Sequence, residues 1–251
     1  SNVTNTGYEK NSDIYTIFGS ENDNNSQAGA IGISDARLLL FPMKSLKGVF
    51  TWITCPRVLQ KAMSDMQLCN NNELAELLHI NEGNLVGQNS NLLINGDRLI
   101  LEEYAFTVNK SNKVNQLGEY LATHLFADAN DYWANKIKTD IVVLNDDDFK
   151  DFVNLSTEVI TRTKIDNNTG TVASGALFTE EYLPAESILY SLILIGDELH
   201  LQDSKNRKKD LKRKSDIQSF LANGFKENPV MQIGGNATLG KGLVSTKFLT
   251  N

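Results

Sequence analysis

Four glycines and one lysine fall within nine residues, Gly234 to Gly242, in the run Ile233-Gly234-Gly235-Asn236-Ala237-Thr238-Leu239-Gly240-Lys241-Gly242. Glycines at this density let a backbone press close to another group and offer it N–H donors, and that group is commonly a phosphate. Gly235, Gly240 and Lys241 keep the G-x-x-x-x-G-K spacing of a P-loop, but Gly242 stands where Ser or Thr would hold a metal. A P-loop also leads into a helix and a long α/β domain, whereas the residues after Gly242 read as one strand, Leu243 to Leu249. The expectation is therefore no nucleotide hydrolase. A backbone-binding loop and a tight turn without a ligand both stay open.

Cationic and hydroxyl side chains supply the other candidates. Lys44 and Lys47 bracket Ser45, which reads as the cap of a helix running through Val49, Phe50, Trp52 and Ile53; N–H groups at such a start, with lysine charge added, make an anion site. Arg162 and Lys164 share one face of a predicted strand. Arg37 lies two residues from Asp35, so the two share one face of a strand, where a structural ion pair and a functional contact both stay open. Seven of the ten residues from Lys205 to Lys214 are basic, a solvated face or a contact for a polyanion. Asp146-Asp147-Asp148 opens a helix, where acidic residues suit the positive end of the dipole without any metal. His79, His124 and His200 are scattered, and Cys55 and Cys69 lack C-x-x-C spacing, so no zinc site is expected and the compartment reads as reducing, hence cytoplasmic.

These residues need elements to position them. Residues 1–27 are polar around Ile14 to Phe18, a short helix ending at Gly19. A strand pair or one bent strand follows over 28–42. Pro56 interrupts the helix after Ser45, and the pattern resumes at Val58. A short helix spans Glu73 to Ile80. Leu92–Ile94 and Leu99–Val108 form a hairpin about Asn95-Gly96-Asp97. Helices follow at Val114–Phe126 and Tyr132–Ile137, then a strand at Ile141–Leu144. Glu158–Ile165 and Thr171–Phe178 flank Asp166-Asn167-Asn168-Thr169-Gly170 as a second hairpin. Glu186–Ile195 is an apolar strand, a helix lies near 209–223, and Val230–Ile233 precedes the glycine loop.

Irregular alternation of strands and helices indicates α+β with mostly antiparallel pairing. With 251 residues, 41% hydrophobic and 22% charged, the chain is an ordinary globular protein without a membrane-spanning run. A net charge of −7 argues against coating nucleic acid with the whole surface but allows a local basic groove.

Four motifs occur in one order: Ile17-Phe18-Gly19; Ser34-Asp35-Ala36-Arg37-Leu38-Leu39 running into Phe41-Pro42-Met43-Lys44-Ser45-Leu46-Lys47-Gly48-Val49-Phe50-Thr51-Trp52-Ile53-Thr54-Cys55-Pro56; Gly175-Ala176-Leu177-Phe178-Thr179-Glu180-Glu181-Tyr182-Leu183-Pro184; and the glycine loop. From about residue 14 onward the chain resembles the backbone-subunit family of type III-B CRISPR effector complexes, the fourth subunit of the Cmr module in the RAMP superfamily. Residues 65–140 carry little of the likeness.

The resemblance implies a ferredoxin-like palm of RNA-recognition type over 28–251, with a loose segment at 1–27, a helical insertion at about 66–140 and a protruding thumb hairpin at about 155–184. It implies a subunit that binds guide RNA, stacks with copies of itself and with other Cmr-module subunits, and belongs to a complex that cleaves target RNA at regular intervals. Lys44, Ser45, Lys47, Gly234, Gly235, Gly240 and Lys241 become RNA-contact candidates. Arg162 and Lys164, with Leu177 and Phe178, become thumb residues. Glu180 and Tyr182 become catalytic candidates beside the cleavage centre, with Glu181 the weaker one. A divalent metal, Mg, is implied for cleavage in the full complex, with none on this chain. The family's cleaving aspartate precedes the Ile-Phe-Gly motif, so the chain is expected to be truncated before it. A purely structural RNA-binding filament subunit is the alternative, and a guide-processing enzyme, which would keep an early histidine, fits less well.

Overall fold

The computed structural model describes residue 14 and residues 17–19, 28–126, 131–197 and 214–250. The basic run at 205–214 lies almost wholly outside the described residues, as does most of the 1–27 segment. Among the described residues no helix is long and apolar enough to cross a membrane.

In chain order the elements are β1 (Ile31–Ile33), β2 (Arg37–Lys44), β3 (Phe50–Thr54), α1 (Pro56–Leu68), α2 (Asn72–Leu78), β4 (Leu85–Gly87), β5 (Arg98–Leu101), β6 (Tyr104–Thr107) and β7 (Asn109–Ser111). There follow α3 (Asn112–Leu125), α4 (Tyr132–Thr139), β8 (Ile141–Val143), α5 (Asp146–Leu155), β9 (Glu158–Ile165), β10 (Val172–Tyr182), β11 (Ile188–Tyr190) and β12 (Ile193–Ile195). The last are α6 (Lys214–Glu227), β13 (Val230–Gln232) and β14 (Leu243–Ser245). The class is α+β. The chain divides into two compact units, one of residues 36–190 and one of 1–35 with 191–250.

The larger unit is built on a six-stranded sheet in the order β11-β2-β3-β8-β4-β7. β3 runs parallel to β8 and β4 parallel to β7, while the other neighbours are antiparallel. Phe41, Met43, Ile53, Val86 and Val142 from its strands enter one core with Leu92, Leu99, Leu101, Phe149 and Phe152. Each large side chain fully buried there is worth roughly 1.5–3 kcal/mol. β4 and β7, strands of the central sheet, come from within the segment 66–140.

The largest departure from the sequence reading is at residues 50–54. They form strand β3, not a helix. Phe50, Thr51, Trp52, Ile53 and Thr54 are all aromatic or β-branched, and these suit a pleated surface with neighbours on both sides. Apolar spacing alone does not separate a buried strand from a helix. Pro56 does not interrupt a helix; it begins one, at the first helical position where its missing N–H costs nothing, after an extended Cys55. The predicted hairpin near 95–97 is reduced to a bridge between Ile94 and Arg98, and the main pairing there turns at Glu102-Glu103. The apolar run 186–195 splits into β11 and β12, which pair with β2 and β1.

The smaller unit pairs β1 with β12 and β13 with β14. Its core holds Ile17, Ala30, Ile217 and Leu221, with Phe225 and Phe248 stacked at 5.4 Å.

Candidate nucleic-acid interface

Three places carry the predicted site residues. In the larger unit, β9 and β10 form a two-stranded ribbon around the turn Asp166–Gly170. Arg162 pairs in register with Phe178, and Glu180 with Ile160. Directly paired residues share a face, so Arg162, Lys164, Phe178, Glu180 and Tyr182 lie on one side. Three of them converge. The Arg162 guanidinium meets the Glu180 carboxylate, Tyr182 donates its hydroxyl to Glu180 Oε2 at 2.7 Å, and Arg162 Nη2 reaches the Tyr182 oxygen at 3.4 Å. Lys164 stays exposed further out. Glu181 points to the other side, where its carboxylate accepts the Thr157 hydroxyl at 2.6 Å. A register shift between Val172 and Leu177, with Gly175 at φ +72, bends the outer half of the ribbon. Leu177 is 66% exposed and Phe178 50%.

The second place is the turn between β2 and β3. Because no helix begins there, Lys44 and Lys47 do not flank a helix N-terminus and Ser45 has no helix to cap. Lys44 instead closes β2 and pairs with Glu102 at 3.4 Å. Lys47 donates to the Leu93 carbonyl at 2.6 Å. Ser45 is buried, with its hydroxyl toward the Ile100 carbonyl at 3.4 Å. Lysine charge is therefore presented by a strand turn rather than by helix amides.

The glycine loop is the third place, in the smaller unit, and joins β13 to β14. It is exposed from Gly234 to Gly240. Its amides are not as bare as glycine density suggests. Leu239 and Lys241 donate to the Asn236 carbonyl and Gly240 to that of Ala237. The Gln232 side-chain amide donates to the carbonyls of Ile233, Gly234 and Lys241 at 3.0–3.3 Å and staples the loop from within. Gly242, at φ +72, lies so close to the Ile233 carbonyl that a Cβ would stand 1.9 Å from that oxygen. Gly242 thus serves the turn itself through close packing, and Gly234 and Gly240 through positive φ, +82 and +72, while Gly235 has neither constraint.

Arg37 does not pair with Asp35. Its Nη1 reaches Asp65 Oδ2 at 2.5 Å, where Lys61 Nζ at 2.7 Å and the Tyr190 hydroxyl at 2.8 Å converge on the same buried carboxylate. Burial acts to raise the Asp65 carboxyl, but the bonds from Lys61, Tyr190 and Arg37 prevail and hold it below the usual range. Tyr190 is pushed up to about 12, by burial and by its bond to Asp65. This cluster joins α1 to the sheet edge, and only the i, i+4 spacing of Lys61 and Asp65 hinted at it in sequence.

The family model of the RAMP superfamily matches residues 3–245. The chain is 34% identical over 242 residues to the CRISPR system Cmr endoribonuclease Cmr4 of Pyrococcus furiosus, covering 95% of this chain and 76% of that protein. It is 25% identical over 256 residues to the CRISPR system CMR subunit Cmr4 of Saccharolobus solfataricus, covering 95% and 77%. The crystal structure of oligomeric Cmr4 from Pyrococcus furiosus superposes with a TM-score of 0.64 at 29% identity, over 95% of this chain and 78% of that one. A type III-B Cmr-beta structure shares the fold, with a TM-score of 0.67 at 22% identity over 96% and 77%.

Proposed function

We propose that this chain, which belongs to the RAMP superfamily, is a guide-RNA-binding backbone subunit of a Cmr-type CRISPR assembly that cleaves target RNA at regular intervals. The observation that carries this reading is the 34% identity to a Cmr endoribonuclease across 95% of the chain. The site geometry supports it. A lysine-bearing strand turn, an exposed glycine loop with Lys241, and a ribbon with Arg162 and Lys164 all address sugar and phosphate rather than base edges. Copies of the chain would stack along the guide with other Cmr subunits, the β9–β10 ribbon serving as the thumb; the relative from Pyrococcus furiosus is described as oligomeric.

The residues proposed for backbone contact are Lys44, Lys47, Arg162, Lys164 and Lys241, with Gly234 and Gly235 as points of close approach. Glu180 and Tyr182 are proposed beside the scissile phosphate. There a carboxylate can take the 2′-hydroxyl proton and a tyrosine can orient the phosphate. A divalent metal such as Mg would act in the assembled complex. Among the described residues no three His, Cys, Asp or Glu side chains group to hold one, and Glu180 is already engaged by Arg162 and Tyr182. The donor set on the described residues does not fit a metal.

That engagement of Glu180 favours a second reading, a filament subunit that binds RNA without cutting it. Assembly with guide RNA, Cmr partners, divalent metal and complementary RNA separates the two. Evenly spaced cuts are expected; target bound but left whole would support the structural role.

A further inference from the structure

The turn between β2 and β3 is held more tightly than its surface position requires. Gly48 has φ +79 and Val49 φ +70. Left-handed backbone is ordinary for glycine but an outlier for a β-branched residue. Val49 is also 81% exposed, so burial of its side chain does not compensate the strain.

What holds the turn lies beneath it. The Lys136 side chain is only 4% exposed; its Nζ donates to the Gly48 carbonyl at 2.8 Å and to Asp140 Oδ2 at 2.5 Å. The same ammonium stands 4.6 Å from the centre of the Phe50 ring. A Cβ on Gly48 would come within 3.2 Å of Asp140 Oδ2 and 3.5 Å of Lys136 Nζ, so the turn's backbone rests directly on the ion pair. From the other side Leu46 N–H donates to the Ile100 carbonyl at 3.1 Å and Lys47 Nζ to that of Leu93 at 2.6 Å. The Asp140 carbonyl accepts the Thr51 hydroxyl at 2.6 Å and Trp52 N–H at 2.9 Å, which ties the next strand to the same point. A buried ion pair is weak evidence for stability and better suited to selecting one geometry. Strained backbone persists only where its surroundings over-determine it, and it gathers at functional sites.

We propose that Lys136 is a positioning residue. Through the Gly48 carbonyl it keeps the tip Leu46–Val49 in the one shape in which Lys44 and Lys47 meet a sugar–phosphate chain. This rests on the RNA-contact reading of those two lysines. A tip already in its bound shape loses less freedom on binding, which is the benefit of preorganisation.

The test uses the full chain, trypsin cleavage at the Lys47–Gly48 bond, and affinity for a fluorescein-labelled single-stranded RNA of mixed sequence. Lys136→Met should be cut at that bond roughly tenfold faster and should bind the RNA roughly tenfold more weakly, since small misplacements carry large effects. Lys136→Arg, which can keep both contacts, should restore most of each. Adding Lys136→Met to Lys44→Ala with Lys47→Ala should lose little beyond that pair alone. Should Lys136→Met fail to fold because Asp140 is left unpaired, Lys136→Met with Asp140→Leu removes both charges and still deletes the bond to Gly48. Unchanged cleavage, or additive losses of affinity, would overturn the positioning role. Unchanged affinity in the variant with both Lys44→Ala and Lys47→Ala would instead overturn the RNA-contact reading, whatever the cleavage rate of Lys136→Met.

Discussion

Arg162 and Glu180 meet diagonally across the β9–β10 ribbon, guanidinium against carboxylate, with the Tyr182 hydroxyl donating to the same carboxylate oxygen at 2.7 Å. The arginine that would greet a phosphate is therefore already compensated by the carboxylate that would take a proton. Glu180→Gln separates these roles. It should release Arg162, raise RNA affinity, and steepen the slope of log affinity against log salt by about one. If Glu180 acts as a base, the same variant should lower target cutting in the assembled complex by roughly 10²–10⁴. An unchanged slope with undiminished cutting would remove Glu180 from the site.

Lys47 and Lys241 are read as phosphate contacts from two different units of the chain. Lys47→Ala and Lys241→Ala should each make the salt slope shallower by about one, with affinity falling to a similar degree across RNA sequences. A titration over a series of salt concentrations reads this directly. A loss confined to one sequence would point to base contact.

Asp65 joins Arg37, Lys61 and Tyr190 around one buried carboxylate. Asp65→Asn should destabilise the fold by about 2–4 kcal/mol in denaturant titration, because two cations and a half-buried phenol lose their buried partner. Linkage adds a pH signature. The Asp65 carboxyl is held low, so its contribution is present above the ordinary carboxylate pKa of about 4 and is lost as pH falls below it. Tyr190 is raised to about 12. Its contribution is complete below the ordinary tyrosine pKa of about 10 and drains as pH rises from there. The thermal midpoint should thus decline over that alkaline range, and decline less in Tyr190→Phe.

Gly242 and Gly235 make a matched pair. An added Cβ at Gly242 would stand 1.9 Å from the Ile233 oxygen, in a residue at φ +72, whereas one at Gly235 meets nothing within 4 Å. Gly242→Ala should destabilise the closing hairpin by about 1–3 kcal/mol. Gly235→Ala should be close to neutral for folding, so any loss of RNA affinity in it reports on close approach of the ligand.

Much of this is legible in the amino-acid sequence. Regular amphipathic spacing located α3, the acidic start Asp146–Asp148 marked α5, and the β-branched arms about Asp166–Gly170 located the ribbon that places Arg162 beside Glu180 and Tyr182. The glycine run marked its loop. What failed did so for local reasons. Val49, Phe50 and Ile53 have spacing that a helix or a buried strand can both satisfy, and β3, with neighbours on both sides, is the buried strand. That one reversal moved Lys44, Ser45 and Lys47 from a helix start to a strand turn. Side-chain partners distant in sequence left no trace. Arg37 finds Asp65 rather than Asp35 because α1 packs against β2, and Lys136 reaches back to Gly48 because the parallel pairing of β3 with β8 brings those segments together. Gln232, which fills the glycine loop with its amide, carries no pattern at all.

No side chain from Glu158 to Tyr182 is buried, and a lone two-stranded ribbon is marginal in water. Its outward stripe of Val159, Ile165 and Leu177 is half or more exposed. Among the described residues the ribbon is in that sense an unfinished layer. Whatever settles against that stripe will lend it the apolar neighbours it lacks, and amides there should exchange with solvent more slowly in company than alone.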